Sequence, residues 1–178
     1  PYLYWEFCCL NVFLRISMIS FSMFSECFDR GIFVDGIAVE LILWTDNADI
    51  PMRDLSRTIG IEPAELLSKG DVVYYGEHKN LERVADISSL RYSTGYINTA
   101  DVEVAVNKMA DILKPKFSEI VNIVDKYGMT AKFCIVIVLS ENPIIAIPAD
   151  FVQIMAKLHA ELEFDTYFDC TWANEPEE

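Results

Sequence analysis

The sequence predicts an α+β domain, with an antiparallel or mixed β-sheet of five or more strands and helices packed on one face. Nearly continuous apolar runs, rich in β-branched residues, predict strands at Ile37–Thr45 and Thr130–Ser140. Apolar residues spaced by three and four predict a long amphipathic helix that begins at Thr99 or Asp101. With 178 residues, 52% of them hydrophobic, the chain can bury a core without disulfides.

The first half of the chain contains further elements. Asp49 is expected to cap a short helix that has Pro51 near its first position and ends at Gly60. Asp35 and Gly36, between apolar runs, form a hairpin signal. Two more strands are expected at Val72–Tyr75 and Ser89–Asn98. The polar residues Gly76–Asp86 are expected to connect them.

The second half combines helices and strands. Pro115 should kink or divide the long helix, because proline removes a backbone hydrogen bond, and Gly128 should end it. Pro148 opens a helix that we expect to reach about Leu162, before a last strand at Glu163–Asp169. The inward residues of that helix are expected to be Val152, Met155, Leu158 and Leu162. A faint echo between residues 39–59 and 133–162 suggests two β-α-β halves in one sheet.

The domain organisation follows from these elements. Residues 1–35 form an apolar N-terminal extension, either a genuine hairpin or a segment foreign to the native protein. Its uncharged runs are too short to span a bilayer, but they offer a surface for homo-oligomerisation. A single domain occupies residues 36–172, and residues 173–178 form an acidic tail.

The net charge of −14 restricts the classes of partner. Such a charge repels phosphate backbones and anionic lipid, so we expect neither nucleic acid nor a membrane as a partner. Residues 149–178 hold eight acidic residues against one lysine, and therefore half of the net charge. A basic protein is the partner that this charge would attract.

Motifs for catalysis or cofactor binding are missing from the sequence. Neither a Gly-x-Ser-x-Gly elbow nor a phosphate-binding glycine loop occurs, and the five cysteines contain no Cys-x-x-Cys pair. His159 precedes Glu163 by four residues, a spacing that on a helix could supply one edge of a metal site. We therefore expect no cofactor, no metal and no catalytic residue, and the scattered cysteines are typical of a cytoplasmic protein with reduced thiols.

Acidic residues alternate along the last predicted strand. The period of two places Glu163, Asp165 and Asp169 on one face, where we expect them to face water. Phe164, Thr166 and Phe168 occupy the other face, with the aromatic rings toward the core. The candidate partner-binding residues are Glu161, Glu163, Asp165 and Asp169.

A second candidate site surrounds the Lys69-Gly70-Asp71 sequence. These residues can either bind an anion or form a tight turn. Nearby tyrosines can either line a groove or pack on the sheet with their hydroxyl groups at its rim. The candidate cleft consists of Lys69, Asp71, Tyr75 and Tyr96.

Several motifs together resemble a known family. These are Gly60-Ile-Glu-Pro63, Lys69-Gly-Asp71 and the closing Glu163-Phe-Asp-Thr-Tyr-Phe168. From about Val39 to Asp169 the chain resembles the domain-of-unknown-function family 4279, although Gly95-Tyr96 stands where that family usually has Gly-Trp. The resemblance implies a bacterial cytosolic α+β domain and brings no established activity.

Three functions remain open at this point. The first is a non-enzymatic protein-binding module, in the manner of an immunity protein or antitoxin, directed at a basic partner. The second is a small-molecule-binding or enzymatic domain that uses the candidate cleft. The third is a structural subunit that self-associates through its apolar N-terminal segment.

Overall fold

The fold is organised around two ten-residue strands at the centre of one sheet. The structure, a computed structural model, describes residues 36–75, 81–139 and 142–168. The strands are β1 (Gly36–Thr45), β2 (Glu65–Leu67), β3 (Val72–Tyr75), β4 (Leu81–Val84), β5 (Ser88–Ser93), β6 (Thr130–Leu139) and β7 (Glu161–Phe168). The helices are α1 (Met52–Ile59), α2 (Val102–Leu113), α3 (Phe117–Tyr127) and α4 (Ala149–Lys157), with a 3₁₀ turn at Lys114–Lys116.

The main sheet has the strand order β2-β5-β1-β6-β7, and β3 pairs with β4 in a separate hairpin. β1 is antiparallel to both neighbours, whereas β6 and β7 are parallel and are joined by α4. β1 and β2 run in the same direction on either side of β5, with α1 between them in the chain. The predicted mixed sheet is therefore confirmed, and each half contains a strand-helix-strand unit.

Helices cover one face of this sheet, as predicted. Alternate residues of β1 and β6, among them Leu41 and Phe133, join buried residues of all four described helices in one apolar cluster. A second cluster on the opposite face includes Ile42, Cys134 and Val136, and no helical residue of the described chain belongs to it. The strict alternation explains this division, since successive side chains of a strand point to opposite faces.

The predicted helix signals near residues 101–128 are confirmed. The Asp101 carboxylate accepts a hydrogen bond of 2.9 Å from the backbone N–H of Glu103, which satisfies one free donor of the first turn of α2. Pro115 lies in the 3₁₀ turn that separates α2 from α3. Gly128 caps the end of α3.

Two other helices differ from their predicted form. Pro51 itself occupies the N-cap of α1, and no side chain caps this helix, so Asp49 does not have the expected role. α4 ends at Lys157 rather than near Leu162, because the chain turns at His159 and enters β7 at Glu161. Val152, expected to face inward, is 47% exposed.

Two predicted boundaries near β5 also change. The connection Gly76–Asp86 contains a strand, β4, that pairs with β3. β5 ends at Ser93, after which Ile97 returns to make two backbone hydrogen bonds with Ile37, each of 2.9 Å. Gly36 permits this approach, because a Cβ atom there would lie 2.5 Å from the Ile97 carbonyl oxygen.

The predicted extension of residues 1–35, the Asp35–Gly36 hairpin signal and the acidic tail of residues 173–178 lie wholly or partly outside the described residues. Across the part of the chain that the structure does describe, every helix is too short or too polar to cross a bilayer.

Candidate protein-binding site

Among the described residues, strand β7 forms one edge of the main sheet, and it carries three of the four predicted partner-binding residues. Glu163 lies beside Cys134 of β6, and Asp165 lies beside Val136, both on the face opposite the helices. Glu161 precedes them on the same face by the period of two. We call Glu161, Glu163 and Asp165 the acidic edge. Asp169, the fourth predicted residue, lies outside the described residues.

The burial of β7 differs from the expected pattern, although its alternation is as predicted. Glu163 and Asp165 are half-buried rather than fully solvated, and Phe164 on the helix side is 40% exposed. α4 accounts for the exposure of Phe164, because its buried Phe151 packs against Phe133 of β6 with the ring centroids 4.8 Å apart. The helix therefore lies over β6 and leaves the edge strand partly uncovered.

The acidic edge forms specific contacts. The Glu163 carboxylate accepts a hydrogen bond of 2.6 Å from Lys132 Nζ, in a salt bridge where the side chains are 38% and 13% exposed. The Asp165 carboxylate accepts a hydrogen bond of 2.7 Å from the Tyr167 hydroxyl group. Glu161 is exposed. These contacts orient two of the three carboxylates and leave the surface negative.

A buried ion group lies on the same face, two strands away. Arg91 of β5 approaches the Glu40 carboxylate of β1 at 3.5 Å and the Glu65 carboxylate of β2 at 3.4 Å. Burial raises the pKa of Glu40, while the nearby Arg91 opposes this shift. The described strands thus place five carboxylates and two cations on this face, and the excess is negative.

Sequence reasoning did not single out this ion group. The signals were two charged residues inside predicted strands, namely Glu40 in the otherwise apolar Ile37–Thr45 and Arg91 in Ser89–Asn98. A buried charge requires a partner, but the pairing between β1 and β5 that supplies it is not visible in the sequence.

Cys134 lies between these two charged groups but is not poised for chemistry. Burial, reinforced by Glu163, Glu40 and Asp165, raises the pKa of its thiol to about 12. Because the thiolate is the reactive species, this cysteine is a poor nucleophile at neutral pH.

The residues of the candidate cleft do not come together in one place. Lys69 Nζ donates to the Asp46 carbonyl oxygen at 2.8 Å, and the Asp71 carboxylate accepts from the Ser68 backbone N–H at 2.8 Å. Both contacts stabilise the turn between β2 and β3, which lies beside the end of β1 and in which Gly70 adopts a positive φ of 95° that glycine tolerates best. In this structure Lys69 and Asp71 therefore stabilise a turn.

Tyr96 lies at the other end of β1. Its neighbour Ile97 pairs with Ile37, and its ring packs against the cluster that includes Ala38. Nine residue steps along β1, at about 3.3 Å each, separate the two ends by about 30 Å. Tyr75 lies at the end of β3, opposite Leu81. Two concave regions on the helix side, of about 540 and 360 Å³, are lined by other residues.

The histidines form no metal site in the described structure. His159 lies in the turn after α4, with φ of 48°, while Glu163 lies in β7, so the helical spacing expected for this pair does not exist. The described residues contain no group of three or more potential ligands that could hold a metal ion. His78 lies outside these residues.

Comparison with known proteins identifies a matching family. A family model described as "Domain of unknown function (DUF4279)" matches residues 35–169. This range contains all of the described strands and helices, including β7 and the acidic edge. Neither the curated proteins nor the solved structures contain a significant match to the sequence.

Proposed function

Because the chain belongs to the DUF4279 family, a domain of unknown function, we propose its role from the geometry of β7. The protein is a non-enzymatic protein-binding module, and it recognises a basic protein through the acidic edge, together with Asp169, which follows Phe168 in the sequence. The observation that carries this proposal is the placement of three carboxylates in a row on an edge strand. A row of like charges at a sheet edge matches a partner of opposite charge.

The charge of the whole chain supports this interpretation. With a net charge of −14, the protein attracts a basic partner from beyond contact distance and so increases the rate of association. Such long-range attraction is useful where a partner must be bound before it harms the cell. An immunity protein or antitoxin that neutralises a basic toxin has this task. We propose a role of this kind for the acidic edge.

The experiment compares three forms of the protein in affinity capture from native lysate. The first is the wild type, and the second carries Glu161→Gln, Glu163→Gln and Asp165→Asn. The third is a charge-matched control with substitutions at exposed helical positions, namely Glu103→Gln, Asp111→Asn and Asp125→Asn. Circular dichroism checks that all three forms are folded.

The wild type and the helical control should both capture a basic protein at about 0.05 M salt, and the acidic-edge variant should lose it. Raising the salt to about 0.5 M should slow association strongly, because the Debye length then falls below about 5 Å. Capture of no basic protein, or equal capture by all three forms, would refute the proposal.

A further inference from the structure

A groove on the helix side of the sheet lies between α2 and α4 and ends at the start of α3. It has a volume of about 540 Å³, which is within the usual range for clefts that bind small ligands. Every residue that lines it belongs to the described part of the chain. Described side chains alone therefore set the chemistry of this groove.

The two helices run along the sides of the groove. At their starts, the backbone N–H of Val102 in α2 donates to the carbonyl oxygen of Ile144, in the segment before α4, at 3.0 Å. At their ends, Lys157 Nζ of α4 lies 5.9 Å from the centroid of the Phe117 ring, and Phe117 begins α3 directly after the 3₁₀ turn that follows α2. The helices therefore run in the same direction, and their last turns lie at the same end of the groove.

The walls of the groove carry matching polar side chains. Each helix contributes one amide, one aspartate and one lysine at spacings of three and four residues: Asn107, Asp111 and Lys114 from α2, and Asp150, Gln153 and Lys157 from α4. Side chains at this spacing share one face of a helix. Asp150 lies in the first turn of α4 and Lys157 in its last, about 10 Å apart along the helix axis. The groove therefore has an anionic group near the starts of the helices and two cationic groups near their ends, with Asp111 between them.

The charged groups of the groove lack ion partners in the part of the chain that the structure describes. Asp111, Lys114 and Asp150 form neither a salt bridge nor a side-chain hydrogen bond there. Lys157 contacts the face of the Phe117 ring instead of a carboxylate. Charges of both signs are thus exposed and available to a ligand that carries the complementary charges.

The floor between these charged groups is apolar. Ala110, Phe117 and Ile154 are half-buried, with one side packed against the main core and the other toward the groove. An apolar ligand group placed on this floor would be removed from water. Beside the floor, Asn107 and Gln153 supply amide donors and acceptors that suit the peptide groups of a ligand.

We propose that the groove binds a short linear peptide of about three residues with free ends, because an extended chain spans about 3.4 Å per residue and so matches the distance from Asp150 to Lys157. The ammonium group of the peptide faces Asp150, and its carboxylate faces Lys114 and Lys157. Its central side chain is apolar and lies on Phe117 and Ile154. This site is on the opposite side of the sheet from the acidic edge, so it does not depend on the proposed function.

The test is a calorimetric titration of the full chain with the tripeptide Ala-Leu-Ala, whose ends are free. Three control peptides each remove one group: the N-acetylated form lacks the ammonium, the C-amidated form lacks the carboxylate, and Ala-Gly-Ala lacks the apolar side chain. The groove variants are Asp150→Asn and the double variant Lys114→Gln/Lys157→Gln. The matched controls are Asp125→Asn and Lys126→Gln, at exposed positions of α3 outside the groove. Circular dichroism checks that each variant is folded.

Ala-Leu-Ala should bind with a Kd of about 0.1–1 mM, as expected for a ligand of this size. Acetylation and amidation should each weaken binding about fivefold, the upper range for an exposed ion pair, and the glycine peptide should bind about tenfold more weakly. Acetylation should have no further effect on Asp150→Asn, and amidation none on the double lysine variant, because the partner charge is already missing. The two α3 controls should bind as the wild type does.

Absence of measurable binding at millimolar peptide would overturn the proposal. Equal binding of the blocked peptides would do the same, because the charged ends would then be irrelevant. A loss on acetylation that persists in Asp150→Asn would contradict the orientation, and unchanged binding by both groove variants would place the peptide elsewhere on the protein. All of these variants keep the acidic edge, so none of these results alters the expected capture of a basic protein.

Discussion

The two faces of the main sheet bury different kinds of groups. On the helix side, the strands and all four described helices share one continuous apolar cluster. On the other side, a smaller apolar cluster lies beside Arg91, Glu40 and the acidic edge. Apolar burial drives folding, whereas buried ion pairs contribute little net stability because desolvation offsets their attraction. The helix side of the sheet therefore stabilises the fold, and the opposite side carries the charged groups.

The largest expected effect is on the helix side. Phe133 is fully buried and packs edge-to-face with Phe151, so Phe133→Ala should lower the free energy of unfolding by about 3–5 kcal/mol. Phe164→Ala serves as the matched control, because this ring is 40% exposed, and it should cost no more than about 1 kcal/mol. Urea titration measures both. Similar losses in the two variants would contradict the assignment of the core to the region over β6.

A smaller loss is expected from the ion group on the other side. Arg91→Leu leaves the Glu40 carboxyl, which is 2% exposed, without its cation. The expected loss is about 3 kcal/mol, at the low end for a broken buried pair, because Glu65 is 19% exposed and can reach water. The double variant Arg91→Leu/Glu40→Leu should recover to within about 1 kcal/mol of the wild type. Simple additivity of the two single losses would show that these residues are not coupled.

The smallest effect is a pH dependence. The pKa of Glu40 in the folded chain lies above its ordinary value of 4.5, mainly because of burial. The folded state therefore holds this proton more tightly than the unfolded state. Its contribution to stability is fully present below pH 4.5 and is lost as the pH rises through the folded pKa.

Glu40→Gln removes this titration. Between about pH 4 and pH 7 the stability of the variant should therefore improve relative to the wild type, as measured by urea titration at each pH. A difference between the two proteins that is constant over this range, or that moves in the wild type's favour, would show that Arg91 outweighs burial at this site.

Much of the fold was predictable because its signals are local. The apolar runs of β1 and β6, the Asp101 cap, the division at Pro115 and the stop at Gly128 each depend on a few neighbouring residues. The family match also agrees with the resemblance of residues 39–169. Periodicity and capping act within one turn or one strand, so the sequence alone expresses them.

The errors fall where two local signals compete or where a local signal is missing. Residues 158–162 fit both a helix with Leu158 and Leu162 inward and the start of a strand, and pairing with β6 selects the strand. β4 is short and largely exposed, and its two apolar residues, Leu81 and Val84, do not alternate with polar ones, so it becomes a strand by pairing with β3. In both places hydrogen bonds to distant residues decide the outcome.

The candidate site shows the same division. The alternation of Glu163 and Asp165 with Phe164 was predicted from the period of two, which any strand must have. Their burial was not, since the exposure of Phe164 depends on how far α4 extends across the sheet, and the burial of Glu163 depends on its contact with Lys132 of the neighbouring strand. The separation of Tyr96 from Lys69 depends on the length of β1.

By itself the sequence determined the class of fold, the central strands, the charge of the protein and the set of acidic residues near its C-terminus. Only the tertiary structure placed three of those acids on a strand at the edge of the described sheet, joined Arg91 to Glu40 and Glu65, and left Phe164 partly uncovered. The physical reason is the range of the interactions. Propensity, capping and periodicity act between neighbours in the chain, whereas strand order and burial depend on residues about 50 positions apart.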